Sequence, residues 1–289
     1  MTLFLTISFG SLSSVAQNVL QSEFEKLAKN TSGNLGIYAT IIETGEVAVH
    51  NEDSHFPMQS VYKFPIAMAV LDRVDKGELN LDEIIAVDTK EYIPTGGHSP
   101  IRDKFPDGVE MKLSELIEYN VAQSDGTACD VLLRLLGGTE VANAYVHKLG
   151  VKEIAIATTE MIQVANDTIQ YSNWVTPKAM SNLLTIFYTK DILSKKSKAF
   201  LLKLMTESPT GPKRIKGLLP AGTIVAHKTG SSGTYNGLAR ATNDVGIITL
   251  PNGNHLVVSV FLSDSYAEYS DRELVIAKVA KAAYDFLEK

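Results

Sequence analysis

The stretch Ser60-Val61-Tyr62-Lys63 places a hydroxyl and an amine three residues apart inside an apolar run, HFPMQSVYKFPIAMAVL. Residues i and i+3 share one face of a helix, so a helix that begins near Ser60 would hold both side chains together at its first turn. A buried lysine loses its charge more readily and can assist as a base toward a serine hydroxyl. The free N–H groups of a helix N-terminus suit a developing oxyanion. The pair therefore indicates nucleophilic catalysis, although a serine three residues before a lysine also arises by chance in about one chain of this length.

Two later tripeptides could complete such a site. Ser124-Asp125-Gly126 interrupts two helical runs, LSELIEYNVAQ and TACDVLLRLLGG, and is predicted to form a loop that presents Ser124 to a cleft. Lys228-Thr229-Gly230 ends a predicted strand, and the Ser231-Ser232-Gly233 stretch after it can leave backbone N–H groups free along a sheet edge. Each tripeptide alone is more often an ordinary loop than part of a site.

The elements around these motifs predict an α+β fold. LGIYATIIE and EVAVH flank Thr44-Gly45 as a hairpin, and TIVAHKTG, DVGIITL and HLVVSVFL supply three more strands, the last two joined at Asn252-Gly253. An N-terminal helix and a C-terminal helix, the latter opened by a Ser270-x-x-Glu273 capping box, are predicted to flank this antiparallel five-stranded sheet. Strand signals nearly vanish between the two groups of strands. We therefore expect an inserted all-α lobe over residues 55–203 and an α/β lobe over residues 17–54 and 204–289, with a ligand cleft between them.

The first sixteen residues, MTLFLTISFGSLSSVA, are apolar and then small, which is typical of a signal peptide over residues 1–16. No lysine or arginine precedes the apolar part. Two alternatives therefore remain: translation starts upstream of Met1, or the segment is an uncleaved anchor. Gly10 and four serines disfavour a buried helix here. The prediction is a periplasmic or secreted protein with no membrane contact after cleavage.

Composition narrows the class of partner. A net charge of −6 and a pI near 5.6 argue against nucleic acid and favour a small-molecule substrate. The single cysteine, Cys129, excludes an intramolecular disulfide, and the six histidines lack the spacing of metal ligands. We expect neither a metal nor a cofactor. We also expect a monomer, since the sequence has no apolar surface stripe that would indicate an oligomer interface.

In this order and at these intervals, S-x-x-K, S-D-x and K-T-G resemble the penicillin-recognising serine enzymes, and specifically the class A β-lactamases. The resemblance covers the chain from about Gln17 to the last helix and includes Glu160 in TTEMIQ. The stretch TGPKRIKGLLPAGTIVAHKTG and the loop from Glu160 to Asn173 are most similar to the PER-type branch of that class.

The resemblance implies a catalytic role for each matching residue. Ser60 would attack the lactam carbonyl and form an acyl-enzyme, while the backbone N–H groups of Ser60 and Ser231 hold the oxyanion. Lys63, or Glu160 through a water molecule, would take the serine proton. Ser124 would protonate the departing lactam nitrogen, and Glu160 would activate the water that releases the acyl group.

The same resemblance implies a set of substrate-binding residues, namely Lys228, Thr229, Gly230, Ser231 and Arg214. Arg214 matches one of the positions at which the family places an arginine for the substrate carboxylate. Alternatively, Arg214 is an ordinary surface cation beside Lys213 and Lys216, and the sequence favours neither interpretation.

The chain also departs from the family pattern. Gly126 stands where the family usually has an asparagine whose amide contacts the substrate. Without that hydrogen bond, binding is weaker by about 1 to 3 kcal/mol if the substrate group stays unsatisfied. Gln123 or Thr127 could compensate. The aromatic residue at the cleft entrance could be Tyr92 or His98.

A second group of departures concerns the Glu160 loop. Val164 replaces a polar residue that helps to hold the deacylating water, so Ser60, Glu160 and Gln163 are the candidates for holding it instead, and deacylation is the step that this departure affects. Thr158 and Asn173 replace the usual Arg–Asp clamp, which indicates a different loop path.

The predicted function is hydrolysis of β-lactams, both cephalosporins and penicillins. Two alternatives use the same nucleophile: a D-Ala-D-Ala peptidase or small-ester hydrolase, which does not need Glu160, and a slowly deacylating penicillin-binding protein, which Gly126 and Val164 would favour. A metal-dependent hydrolase is excluded for want of ligands.

Overall fold

The computed structural model describes the backbone of residues 10–287. Residues 1–9 of the predicted signal peptide lie outside the described residues, so that prediction stays untested. The remaining residues of the segment begin a helix, Gly10–Lys29, so Gly10 and the serines do not prevent a helical backbone there. Within the described residues, no helix is long and apolar enough to cross a membrane.

The helices, in chain order, are α1 (Gly10–Lys29), α2 (Lys63–Asp75), α3 (Pro100–Lys104), α4 (Leu113–Val121), α5 (Gly126–Leu136), α6 (Thr139–Lys148), α7 (Glu160–Ala165), α8 (Pro177–Thr189), α9 (Lys195–Glu207) and α10 (Tyr269–Leu287). The strands are β1 (Asn34–Ile41), β2 (Val47–His50), β3 (Phe56–Pro57), β4 (Ile84–Val87), β5 (Val109–Lys112), β6 (Ile154–Ala155), β7 (Trp174–Val175), β8 (Val225–Ser231), β9 (Ala239–Thr249) and β10 (His255–Ser265).

The central sheet has five antiparallel strands in the order β2-β1-β10-β9-β8. Strand β1 therefore pairs with β10, the last strand of the chain, and Ile37 lies opposite Val260. This arrangement confirms the predicted five-stranded antiparallel sheet. It also leaves β8, which carries Lys228 to Ser231, at one edge of the sheet.

Both faces of this sheet are buried, and neighbouring residues along a strand belong to different cores. In β9, Val245 and Ile247 pack with the helices between β2 and β8, whereas Ile248 packs with α1 and α10. Burial on both faces explains why the stretch of β10 from Leu256 to Leu262 is apolar at every position except Ser259 rather than alternating. The N- and C-terminal helices share one layer, as the sequence predicts.

The segment between β2 and β8 contains more strand than the sequence predicts. Strands β3, β7 and β6 form a three-stranded sheet, and β4 pairs with β5. Each of these strands has only two to four residues. A period of two cannot be recognised in so short a segment, so the expectation of an all-α insert was wrong on this point.

Helix α2 lies at the centre of this helical part. Every residue from Lys63 to Leu71 is buried, which matches the apolar composition on all sides of the helix. A 3₁₀ turn over Gln59–Tyr62 precedes it, so Ser60 lies in that turn and Lys63 begins the α-helix proper. The helix ends at Asp75, and Gly77 follows with a positive φ of 75°. Ser60 and Lys63 are thus fixed at the start of a deeply buried helix.

Candidate active site

Several segments that are distant in sequence converge on one cavity of about 760 Å³. Among them are the 3₁₀ turn before α2, the turn before α5, helix α7 and the end of β8. The sequence-predicted residues that line this cavity are Ser60, Lys63, Ser124, Glu160 and Ser231. Lys228, Thr229, Gly230 and Arg214 are buried along or behind β8.

Ser60, Lys63 and Glu160 form a continuous chain of hydrogen bonds. Lys63 Nζ lies 2.6 Å from Ser60 Oγ and 2.5 Å from Glu160 Oε1. Only 1% of Lys63 is exposed. Burial lowers the pKa of Lys63, but the charge and hydrogen bond of Glu160, together with the charges of Cys129 and Asp125, raise that pKa above its ordinary value. Lys63 therefore rests as an ammonium, which differs from the expectation of a lysine that loses its charge by burial alone.

Ser124 is held in a tight turn beside Lys228. Its φ of 59° is left-handed, a conformation that costs a non-glycine residue about 1 to 3 kcal/mol. Asp125 stabilises the turn, because its carboxylate caps α5 through the N–H of Ala128 at 2.8 Å and accepts the N–H of Ile101 at 2.7 Å. Lys228 Nζ donates to Ser124 Oγ at 2.7 Å. Burial, together with the charge of Lys63, lowers the pKa of Lys228 well below its ordinary value.

Arg214 lies underneath β8 and is only 2% exposed, so the reading of Arg214 as a surface cation is wrong. Its guanidinium donates to the carbonyl oxygens of Gly230 and Asn243 at 3.1 and 2.8 Å, and to Ser231 Oγ at 2.6 Å. These contacts fix the end of the strand. They also place a permanent positive charge directly behind the hydroxyl of Ser231.

The partner of Arg214 is Glu273 of α10, whose Oε1 lies 3.3 Å from Arg214 Nε. This contact corrects the predicted capping box. The helix already begins at Tyr269, so Ser270 lies inside its first turn and the Glu273 side chain turns to Arg214. A buried guanidinium requires a carboxylate nearby, and this tertiary requirement outweighs the local capping pattern.

Asp130, which sequence analysis missed, positions Glu160. Its two carboxylate oxygens accept the backbone N–H groups of Glu160 and Met161, each at 2.8 Å. Burial raises the pKa of Asp130 to about 7. The available signal was an acidic residue in the apolar helical run TACDVLLRLL, because such a residue is rarely buried without partners.

Asn173 and Asp167 anchor the loop that carries Glu160. Asn173 Oδ1 accepts the N–H groups of Ala157 and Thr158 at 2.7 and 2.9 Å, and its Nδ2 donates to the Thr158 carbonyl at 2.8 Å. Asp167 Oδ2 lies 2.5 Å from Arg240 Nε of β9. The ends of the loop are thus joined by hydrogen bonds between the Asn173 amide and the backbone of residues 157 and 158. These contacts replace the Arg–Asp clamp that is usual in the family.

Of the two residues expected to compensate for Gly126, Thr127 is engaged elsewhere, because its Oγ1 accepts the N–H of Ile93 at 3.2 Å and the hydroxyl of Ser99 at 2.8 Å. The backbone carbonyl of Gln123 contacts His98 Nε2 at 2.9 Å. Of the two candidates for the cleft entrance, His98 lines the cavity. Tyr92 instead donates its hydroxyl to the carbonyl of Phe105.

Known proteins resemble this chain over nearly its whole length. The model of the β-lactamase enzyme family matches residues 18–287. β-Lactamase VEB-1 of Pseudomonas aeruginosa is 39% identical over 288 residues, which cover 99% of this chain and 95% of that protein. Extended-spectrum β-lactamase PER-1 of the same organism is also 39% identical, over 98% of this chain and 92% of its own. The crystal structure of TLA-1 extended-spectrum β-lactamase superposes with a TM-score of 0.92 at 45% identity, covering 95% of this chain and all of that one.

The match to the family model spans the residues of the three motifs and the elements that position them. The chain therefore belongs to the β-lactamase enzyme family, on the class A branch that contains the PER- and VEB-type enzymes.

Proposed function

We propose that this protein hydrolyses β-lactam antibiotics, penicillins and cephalosporins, through an acyl-enzyme on Ser60. The observation that carries the proposal is the hydrogen-bonded chain from Ser60 Oγ through Lys63 Nζ to Glu160 Oε1. This chain places a nucleophile, an amine and a carboxylate together, which suits both formation and hydrolysis of an ester.

In acylation, Ser60 Oγ attacks the lactam carbonyl and gives up its proton. Lys63 can accept that proton once its own has moved to Glu160 across the 2.5 Å contact. Alternatively, Glu160 takes the serine proton through a water molecule. Both routes use the same hydrogen-bonded pair of Lys63 and Glu160.

The oxyanion and the leaving nitrogen are assigned to other groups. Backbone N–H groups of Ser60 and Ser231 would hold the developing oxyanion, a contribution of about 3 to 4 kcal/mol for one donor. The Ser124 hydroxyl protonates the lactam nitrogen as the ring opens. Lys228 returns a proton to Ser124 across 2.7 Å, and its lowered pKa, caused by burial, favours that transfer.

The substrate carboxylate is assigned to the polar end of β8. Thr229 and Ser231 offer hydroxyl groups there, and Lys228 and Arg214 supply positive charge. Gly230 lets β8 pack against the 3₁₀ turn, because a Cβ there would lie 2.4 Å from the Met58 carbonyl oxygen. Arg214 acts through its 2.6 Å contact with Ser231 Oγ. Lys228 is 0% exposed and Arg214 is 2% exposed, so solvent screens their attraction for an anion only weakly.

Deacylation is the step that separates a β-lactamase from a penicillin-binding protein. The Glu160 carboxylate would remove a proton from the water that attacks the acyl-enzyme, and the ester bond to Ser60 Oγ then breaks as a proton returns to that oxygen through Lys63. A peptidase or esterase would share the first half of the reaction without requiring Glu160.

The test is intact-protein mass spectrometry of the mature chain with excess nitrocefin, sampled while absorbance follows ring opening. Many turnovers with a transient mass gain are expected for the wild type, and a persistent adduct of one equivalent is expected for Glu160→Gln. A persistent adduct on the wild type would identify a slowly deacylating binder instead. No adduct and no turnover would favour the peptidase or esterase alternative.

We also propose that the mature protein is exported, periplasmic or secreted, and monomeric. The apolar-then-small sequence of residues 1–16 supports export. N-terminal sequencing of the protein from a cell-envelope fraction should begin at Gln17, and light scattering should give the mass of one chain.

A further inference from the structure

The turn that carries Ser60 has a strained backbone. Gln59, the residue before the nucleophile, has a left-handed φ of 48°. A residue other than glycine rarely adopts this conformation, and it persists only where the surrounding structure holds it in place. The contacts that hold the residues on both sides of Gln59 therefore determine where Ser60 lies.

Asn243 of β9 holds the backbone before Ser60. Its Nδ2 donates to the carbonyl oxygens of Pro57 and Met58 at 2.8 and 3.1 Å. Gly230 lies opposite Asn243 in the neighbouring strand β8, and a Cβ there would lie 2.4 Å from the Met58 carbonyl oxygen. The glycine thus makes room for the turn against the sheet, and the asparagine amide binds the turn there.

Asn120 of α4 holds the backbone on the other side of the nucleophile. Its Nδ2 donates to the carbonyl oxygen of Lys63 at 3.0 Å. Lys63 begins α2, so this contact fixes the first turn of the helix, from which the lysine side chain reaches Ser60. Two amide groups from separate elements therefore hold the backbone of residues 57–63 at both ends.

Neither asparagine is explained by stability alone. Asn120 and Asn243 are both 0% exposed, and among the residues that the structure describes neither Oδ1 has a hydrogen-bond partner. An unsatisfied buried oxygen of this kind destabilises the folded state. The carbonyl groups also have other donors, since Met58 accepts the N–H of Val61 at 3.2 Å and Lys63 lies within the hydrogen-bond pattern of α2. Buried polar groups that weaken a fold in this way are expected at functional sites.

We propose that Asn243 and Asn120 are positioning residues for the attack of Ser60 on its substrate. They fix the backbone N–H of Ser60 that is assigned to the oxyanion, and they fix its Oγ relative to Lys63 Nζ, 2.6 Å away. Displacement of reacting groups by about 1 Å can slow a reaction about 100-fold, so hydrogen bonds that do not touch the substrate can control the rate. The inference rests on the proposed function and adds two residues to it.

The test uses Asn243→Leu and Asn120→Leu, which keep the approximate size of the side chain and remove its amide. With enzyme in excess over nitrocefin, the absorbance change on ring opening reports acylation. The limiting rate constant at high enzyme concentration does not depend on the fraction of enzyme that is folded. Each variant is expected to lower this rate constant at least about tenfold and to change the dissociation constant of nitrocefin by less than about threefold.

Ser181→Ala is the matched control, because it removes a buried hydroxyl that donates to Ser259 Oγ at 2.8 Å and lies outside the cavity lining. It should lower the urea midpoint of unfolding and leave the acylation rate constant within about twofold of the wild type. If the asparagine variants lose stability but acylate like Ser181→Ala, their role is structural and the inference is wrong.

Asn243→Ala removes the same amide without adding a branched side chain, so it supplies the measurement if Asn243→Leu does not fold. An acylation rate constant equal to that of the wild type in this variant would also overturn the inference. Failure of the proposed function gives a different result: the wild type itself would open no nitrocefin and Ser60 would carry no adduct.

Discussion

The carboxylate of Asp130 holds the backbone of Glu160, with Oδ1 accepting the Glu160 N–H at 2.8 Å while Oδ2 accepts the next N–H along the chain. The catalytic carboxylate is thus placed by a second carboxylate on another helix. Since both oxygens of Asp130 accept, the two contacts require a group with two acceptors.

Asp130→Asn tests this requirement, because an amide offers one acceptor and directs its NH₂ group at the remaining N–H. An unsatisfied buried donor costs about 1 to 3 kcal/mol. We expect kcat for nitrocefin to fall by about 5- to 150-fold, which is the same free energy expressed as a rate ratio. Acyl-enzyme should accumulate in the mass spectrum. Unchanged kcat would show that Glu160 is positioned without Asp130.

The same carboxyl makes stability depend on pH. Burial raises the pKa of Asp130 to about 7 from an ordinary value of 3.8. Between these values the native state keeps a proton that the unfolded chain releases, so this group's contribution to the free energy of unfolding falls as pH rises. Urea unfolding at pH 5 and pH 7 should show wild type losing about 2 kcal/mol relative to Asp130→Asn. An equal pH dependence in both proteins would contradict the raised pKa.

A third prediction concerns the buried pair of Arg214 and Glu273. Removing one partner of a buried ion pair leaves an uncompensated charge, at a cost of about 3 to 5 kcal/mol. Glu273→Ala should lower the free energy of unfolding by that amount in urea titrations, and it should raise KM because Arg214 also fixes Ser231. Glu273→Gln, which keeps the shape and one acceptor, should be less destabilised. Similar stability of the wild type and Glu273→Ala would show that the pair is not needed for folding.

The parts of the structure that the sequence predicts are those with a strong local pattern. Strand β10 and the second half of β9 are buried on both faces, so their apolar runs are easily recognised. Ser60 and Lys63 are recognisable because a lysine inside an apolar helix is costly to bury unless it has a partner. The roles that the sequence did not predict depend on contacts between distant segments. Glu273 matches a local cap and yet pairs with Arg214, and Asp130 could not be assigned without knowing that Glu160 lies against α5.

The final prediction concerns Arg240, which ties the Glu160 loop to β9. Arg240 Nε lies 2.5 Å from Asp167 Oδ2, and its guanidinium lies 5.8 Å from the centre of the Tyr171 ring. Arg240→Ala should lower the free energy of unfolding by only about 0.2 to 1 kcal/mol, since the pair is partly exposed.

Its kinetic effect should exceed its effect on stability, because the loop carries the deacylating carboxylate. We expect kcat for nitrocefin to fall at least threefold, with a visible acyl-enzyme. The matched control is Lys178→Ala, which breaks an exposed ion pair with Asp53 outside the cavity lining and should leave the kinetics unchanged. If Arg240→Ala and Lys178→Ala have equal kinetics, the clamp to β9 is not what keeps Glu160 in position, and the Asn173 and Asp130 contacts suffice.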